Sequence, residues 1–168
     1  MLPRNSGGAY AVPGKECTGQ VTGSSPGIGR GIAFKLAEDG ARVAVHYYRN
    51  RTAAQATLDR IRELGSTGFL VQADVCRTDE VSRIFQQVRS EFGSLDVFVS
   101  NARTEAVTFY EAPMEIRLDK WDTALDSQAK AFLVGVREAV PLMSDGAELL
   151  RSRLHRAENL VAGSPGSQ

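Results

Sequence analysis

Gly23, Gly27 and Gly29, closely spaced in Val21-Thr22-Gly23-Ser24-Ser25-Pro26-Gly27-Ile28-Gly29-Arg30, are the residues of this chain best suited to hold an anion. Lacking a Cβ, glycines can turn a strand-to-helix corner at positive φ and let a pyrophosphate approach the backbone. Ile28, Ile32 and Leu36, with Ala33 and Ala37 beside them, follow at helical spacing as far as Gly40. Gly29 therefore falls at a helix N-terminus, where free N–H groups and the helix dipole attract negative charge. A glycine cluster also makes a plain turn, so the elements around it have to decide between the two.

Ala41 to Tyr48 reads as a second strand, which completes the βαβ unit of a dinucleotide fingerprint. An NAD site places an acid at the end of that strand for the ribose 2′-hydroxyl. Here Arg49, Asn50 and Arg51 follow, and the Arg49 guanidinium suits a 2′-phosphate, which favours NADP(H) over NAD. A helix is expected from about Thr52 to Leu64, with Ala54, Leu58 and Ile61 on one face and Gly65 as C-cap. A third strand from Gly68 to Val75 comes next. After it, a helix capped by Thr78 carries Val81, Ile84, Phe85, Val88 and Phe92 up to Gly93, and Leu95 to Val99 is a fourth strand. This alternation implies an α/β fold, a doubly wound parallel sheet of Rossmann type. One long helix is expected from Asp119 to Met143, with Leu118, Trp121, Leu125, Phe132 and Val136 along a single face that also carries Gln128. Buried parallel strands are normally continuous apolar runs, and Glu16-Cys17-Thr18-Gly19-Gln20-Val21 is not one. The first strand is therefore either short and strained or interrupted by an insertion.

At 168 residues, 42% of them apolar, with no net formal charge, the chain suits one globular domain with a modest core. Balanced charge leaves no basic footprint for nucleic acid, and no apolar run reaches the length of a membrane span. Met1 to Asn5 runs into glycines rather than an apolar signal segment, so the expected compartment is the cytoplasm. Cys17 and Cys76 lie far apart without ligand spacing and read as free thiols rather than a disulfide, and no metal site is expected.

The Thr-Gly-x-x-x-Gly-x-Gly run from Thr22 to Gly29 resembles that of the short-chain dehydrogenase/reductase family. The run through Tyr47, Arg49 and Asn50 is similar to the 3-oxoacyl and enoyl acyl-carrier-protein reductases within it. The resemblance covers residues 14–146 and implies a dinucleotide-binding Rossmann domain there, after a loose leader at 1–13. It implies cofactor contacts at Thr22, Gly23, Ser25, Gly27, Ile28, Gly29 and Arg49, and at Asp74 and Val75 against the adenine, although Asp74 also fits a plain strand end. Asn101 and Ala102 belong to Ser100-Asn101-Ala102-Arg103, which stands where the family has Asn-Asn-Ala-Gly near the cofactor, and Arg103 replaces its glycine. Gln128 occupies the position of a family Asn that bends the helix and holds a water of the proton relay; a buried Gln bonding the backbone fits equally.

Family chemistry also requires a Tyr, a Lys four residues on, and an upstream Ser. The tyrosines here are Tyr10, Tyr47, Tyr48 and Tyr110, the lysines Lys15, Lys35, Lys120 and Lys130, and no Tyr has a Lys four residues later. Beyond the Ser144-Asp145-Gly146 turn, residues 147–168 show no buried-strand pattern and read as a disordered or frame-shifted tail, leaving the sheet incomplete on its C-terminal side. By resemblance, the full-length family takes a small-molecule or acyl-carrier-protein-linked substrate and is homo-oligomeric, through an interface of which this chain lacks part. Two readings follow. One is an NADP(H)-dependent oxidoreductase transferring hydride to a carbonyl or enoyl thioester, with this chain binding cofactor only. The other is a non-catalytic nucleotide-binding remnant or partner subunit. A flavodoxin-like module is disfavoured by Arg49 and Asp74.

Overall fold

The computed structural model describes residues 17–103, 114–143 and 147–151. Strands β1 (Thr18–Val21), β2 (Arg42–Tyr47), β3 (Gly68–Gln72), β4 (Val97–Ser100) and β5 (Glu148–Arg151) form one sheet in the order β3-β2-β1-β4-β5. Every pairing is parallel. The chain lays β1, β2 and β3 down in one direction and then crosses back to place β4 on the free side of β1. The carboxyl ends of β1 and β4 thus flank the point where the winding reverses, the usual crevice of an open α/β sheet.

Helices α1 (Gly27–Glu38) and α2 (Arg51–Glu63) cover one face, where Ala33, Ala37, Ala54, Leu58 and Ile61 pack on Val43 and Val45. The other face meets α3 (Thr78–Phe92) and α5 (Ala131–Ala139), with Val81, Ile84, Phe85 and Val88 against Ala44, Val71 and Phe98. Phe85 and Phe98 meet edge to face at 5.1 Å. Gly135 lets α5 approach, since a Cβ there would run into the Phe98 ring.

The first strand is the short one of the two alternatives. Its four residues are all buried and keep an unbroken register with β2 and β4, and side-chain hydrogen bonds hold both ends. At the start, Asp96 Oδ2 accepts from the Thr18 amide at 3.0 Å and from its hydroxyl at 3.1 Å. At the end, Thr22 is bonded to the β4 side of the crevice, as described below.

Three expectations need correction. Thr78 does not cap α3: it is the first helical residue, Arg77 is the cap, and no side-chain capping bond forms. The long helix is not one regular helix, because α4 (Leu118–Leu125) and α5 are joined by a π-helical turn, Asp126–Lys130. The wider turn rotates the helix surface, so the supposed single face splits: Leu118, Trp121 and Leu125 are exposed, whereas Phe132 and Val136 pack on the core. Residues 148–151 form a strand although they lie in the stretch read as lacking one. Only Leu149 and Leu150 are apolar there, and they suffice because one packs on each core cluster flanking the sheet. Arg103, at the position of the family's glycine, is exposed and does not adopt a left-handed backbone, since every positive-φ residue among those described is glycine. The leader, the Ser144–Gly146 turn and residues 152–168 lie outside the described residues.

Candidate functional site

The glycine turn leaves β1 at Val21 and enters α1 at Gly27, and neighbouring strands hold it from both sides. On the β4 side, Thr22 Oγ1 accepts from the Asn101 and Ala102 amides at 2.9 and 3.0 Å. Asn101 Nδ2 donates back to the Thr22 and Gly23 carbonyls at 3.0 and 3.1 Å. On the β2 side, the Ser24 hydroxyl donates to the Val21 carbonyl at 2.9 Å and accepts the His46 amide at 2.8 Å. The Gly23 amide donates to His46 Nδ1 at 2.9 Å.

Two of the glycines are dictated by this geometry. Gly23 sits at φ 65°, where its Cβ would meet Ala102 Cα at 3.0 Å. Gly29 has no room for a Cβ at all, since one would collide with the Gly23 carbonyl and Asn101 Nδ2. The turn is thus packed on its protein side and leaves the start of α1 uncovered. Pro26, the N-cap, supplies no side-chain cap, and the first turn carries no acid. The first three helical amides, from Gly27 to Gly29, lack intrahelical partners, and Ile28 is exposed beside them. This arrangement suits a diphosphate. Ser25 is buried, and its carbonyl accepts from Arg30 Nε at 2.7 Å and Thr57 Oγ1 at 3.1 Å, which fastens the outer lip of the turn to α2.

Arg49 and Asp74 stand on the next two strand ends. Tyr47 pairs with Gln72 in register, and the Ala73 amide continues the ladder to the Tyr47 carbonyl at 3.1 Å. Arg49 is exposed, its guanidinium 4.7 Å over the Tyr48 ring, with Nη2 donating to the Tyr48 hydroxyl at 3.3 Å. Asp74 is half-buried; its amide donates to Glu80 Oε2 at 2.7 Å and its Oδ1 accepts from the Cys76 amide at 2.9 Å. Half-buried Val75 packs on the core cluster beneath. Burial, reinforced by Asp74, pushes the Cys76 thiol up to about 11, so it stays protonated near neutrality. Asp126 and Lys130 also act on that thiol, which brings the π-helical turn toward the end of β3. Gln128 sits half-buried in that turn, between Asp126 and Lys130, which pair at 2.5 Å.

The structure therefore assembles Thr22, Gly23, Ser25, Gly27, Ile28, Gly29, Asn101 and Ala102 around one turn. It sets Arg49, Asp74 and Val75 along the neighbouring strand ends and carries Gln128 on a separate helix. Sequence reasoning passed over His46, the residue that bonds the Gly23 amide. The only hint was a polar residue in an otherwise apolar strand.

A family model described as enoyl-(acyl carrier protein) reductase matches residues 23–165. The chain belongs to the short-chain dehydrogenase/reductase family. The 3-oxoacyl-[acyl-carrier-protein] reductase FabG of Staphylococcus aureus is 37% identical over 151 residues, covering 87% of this chain and 58% of its own length. The 1-cyclohexenylcarbonyl-CoA reductase of Streptomyces collinus is 37% identical over 130 residues, covering 77% of this chain and 45% of that protein. A short-chain dehydrogenase from Burkholderia cenocepacia, solved in complex with NADP, superposes with a TM-score of 0.76 at 32% identity, over 80% of this chain and 54% of the other. This short-chain dehydrogenase/reductase chain thus spans about half the length of the relatives it matches. Among its described residues no helix is long and apolar enough to cross a membrane.

Proposed function

We propose that the chain is the cofactor-binding part of an NADP(H)-dependent short-chain reductase of the cytoplasm. The observation that carries this is the glycine turn at the reversal point of the sheet, packed so tightly behind Gly29 that no Cβ fits, with the α1 amides left facing outward. The residues present fit the group: the amides from Gly27 to Gly29 for the diphosphate, Arg49 for a 2′-phosphate, and Asp74 with Val75 for the adenine edge. Asn101 and Ala102 back the turn, and Thr22 fixes them to it. The NADP complex of the Burkholderia relative supports the choice of cofactor. When bound, the cofactor supplies a hydride, and by family resemblance the acceptor is a carbonyl or an enoyl thioester, free or linked to an acyl carrier protein.

The second reading, a non-catalytic nucleotide-binding remnant or partner subunit, is favoured by one observation: no Tyr in the sequence has a Lys four residues later. On either reading this chain binds cofactor and does not itself protonate a substrate. Titration of the purified chain with NADPH and NADH, followed by an NADPH-oxidation assay with an acetoacetyl thioester, tests both parts. Tighter NADPH binding without turnover is expected; equal or tighter NADH binding would overturn the cofactor choice, and turnover would overturn the binding-only role. Arg49→Asp should weaken NADPH by about 1.5–3 kcal/mol, the size of a charge-assisted contact, and leave NADH nearly unchanged.

A further inference from the structure

His46 is buried, with 2% of its surface exposed, and both of its ring nitrogens are engaged. Nδ1 accepts the Gly23 amide at 2.9 Å, so in the neutral ring the hydrogen lies on Nε2. Nε2 lies 3.0 Å from the Ala73 carbonyl and donates to it. The His46 backbone adds two bonds to the same turn, its amide to the Ser24 hydroxyl and its carbonyl from the Ser24 amide at 3.1 Å. One side chain in the middle of the sheet therefore joins the turn after β1 to the residue after β3, next to Asp74.

The Gly23 peptide matters more than its neighbours because its carbonyl is the atom against which Gly29 packs. That carbonyl is held by Asn101 Nδ2 and the amide of the same residue by His46. Asn101 Nδ2 also holds the Thr22 carbonyl, which shares one planar peptide unit with the Gly23 amide, so that unit is clamped from the β4 side by Asn101 and from the β2 side by His46, and glycine has little intrinsic resistance to rotation once either clamp is lost. We propose that His46 is a positioning residue of the nucleotide site: in its neutral Nε2–H form it fixes the Gly23 peptide, and with it the gap at the start of α1, relative to the end of β3. The diphosphate and adenine ends of the site then keep one spacing. Burial supports this role, holding the ring well below its ordinary 6.5, at about 4, against the raising influence of Ala73 and Asp74. The ring stays neutral near pH 7 and keeps an acceptor toward Gly23. The inference rests on the dinucleotide-binding reading above.

The test compares three variants of the full chain. His46→Asn keeps an acceptor at the Nδ1 position and loses the bond to Ala73. His46→Gln reaches toward Ala73 and loses the Gly23 acceptor, and His46→Leu loses both. NADPH affinity is read by fluorescence titration, and exchange of the Gly23 amide is read by NMR without nucleotide. His46→Asn should bind NADPH within about threefold of the parent, whereas His46→Gln and His46→Leu should lose about tenfold or more, the scale of one buried hydrogen bond left unmade. Their Gly23 amides should exchange faster. Rescue by Asn is the outcome a merely structural role would not give. Equal affinities in all three variants, or a loss in His46→Asn as large as in His46→Leu, would overturn the proposal, as would a Gly23 amide in His46→Leu protected as in the parent. A parent chain that binds no NADPH, while its Gly23 amide still depends on His46, would overturn the nucleotide reading and uphold the hold of His46 on the turn.

Discussion

Gln20 lies in the centre of β1 with none of its surface exposed, and neither amide atom has a hydrogen-bond partner among the described residues. Its register partners are Ala44 on one side and Phe98 on the other, both members of the core cluster under α3 and α5. A buried polar group left unmatched costs about 1–3 kcal/mol, and the cost falls away when an apolar side chain of similar shape replaces it. Gln20→Leu puts an apolar side chain of comparable size in place of the amide, branching at Cγ where the amide branches at Cδ. It should therefore stabilise the chain by about 1–3 kcal/mol. For a domain of this size each kcal/mol raises the melting temperature by about 2–4 °C, so the shift should be about 2–12 °C. Urea unfolding followed by far-ultraviolet circular dichroism reads it directly, with an unchanged slope showing that the unfolded state is unaltered. Gln20→Ala, which removes the polar group but opens a void, should gain less than Gln20→Leu or lose stability. If Gln20→Leu is neutral or destabilising while Gln20→Ala behaves the same way, the amide is satisfied in solution, and the reasoning from its isolation fails.

Gly29→Ala should abolish NADPH binding and destabilise the fold by about 1–3 kcal/mol, the usual cost of overpacking, because its methyl group would meet backbone rather than a movable side chain; titration and urea melts check both. Stability should fall as the pH drops from about 6.5 to about 4, since the unfolded chain there takes up a proton that buried His46 refuses. At about 1.4 kcal/mol for each pH step, the contribution is about 3 kcal/mol in all, and between melts at pH 7.5 and 4.5 the parent should lose most of that amount more than His46→Asn loses. Leu118, Trp121 and Leu125 leave an apolar stripe exposed along α4, with Trp121 at 52%, so the chain should self-associate as concentration rises. Replacing Leu118 and Leu125 with Glu should shift sedimentation toward monomer, and an unchanged profile would count against the stripe.

The parts of this fold that sequence alone made plain are those where one backbone requirement admits few residue types. Gly23 and Gly29 belong to that group: a positive φ and a missing Cβ volume leave glycine as the answer. So do the helix faces of α2 and α3, where apolar residues recur because each turn must meet the same sheet. Strand ends shifted by one to three residues, since a ladder stops where its partner stops. The strand β5 escaped because two leucines, one for each face, carry no periodicity. The π-helical turn at Gln128 escaped because it is a change in hydrogen-bond spacing that side-chain identity does not signal. His46 was illegible for another reason. Its role exists only once the turn 23 residues earlier has closed over it.

That separation has a consequence for how the chain acquires its shape. The turn is gripped by His46 across 23 residues and by Asn101 across 79. Loop-closure entropy grows with the logarithm of length, so the longer closure costs about 1 kcal/mol more. During synthesis it must also wait for most of the chain to leave the ribosome. The β2 side of the cradle can therefore form early, on a nascent chain that holds only three strands, with the Gly23 and Ser24 amides anchored on His46 and the Thr22 and Gly23 carbonyls not yet bonded by Asn101. Asn101 arrives last and closes the carbonyl side. Order of assembly thus runs from the adenosine end of the crevice toward the β4 edge, and nucleotide present in the cell meets a half-built cradle before it meets a finished one.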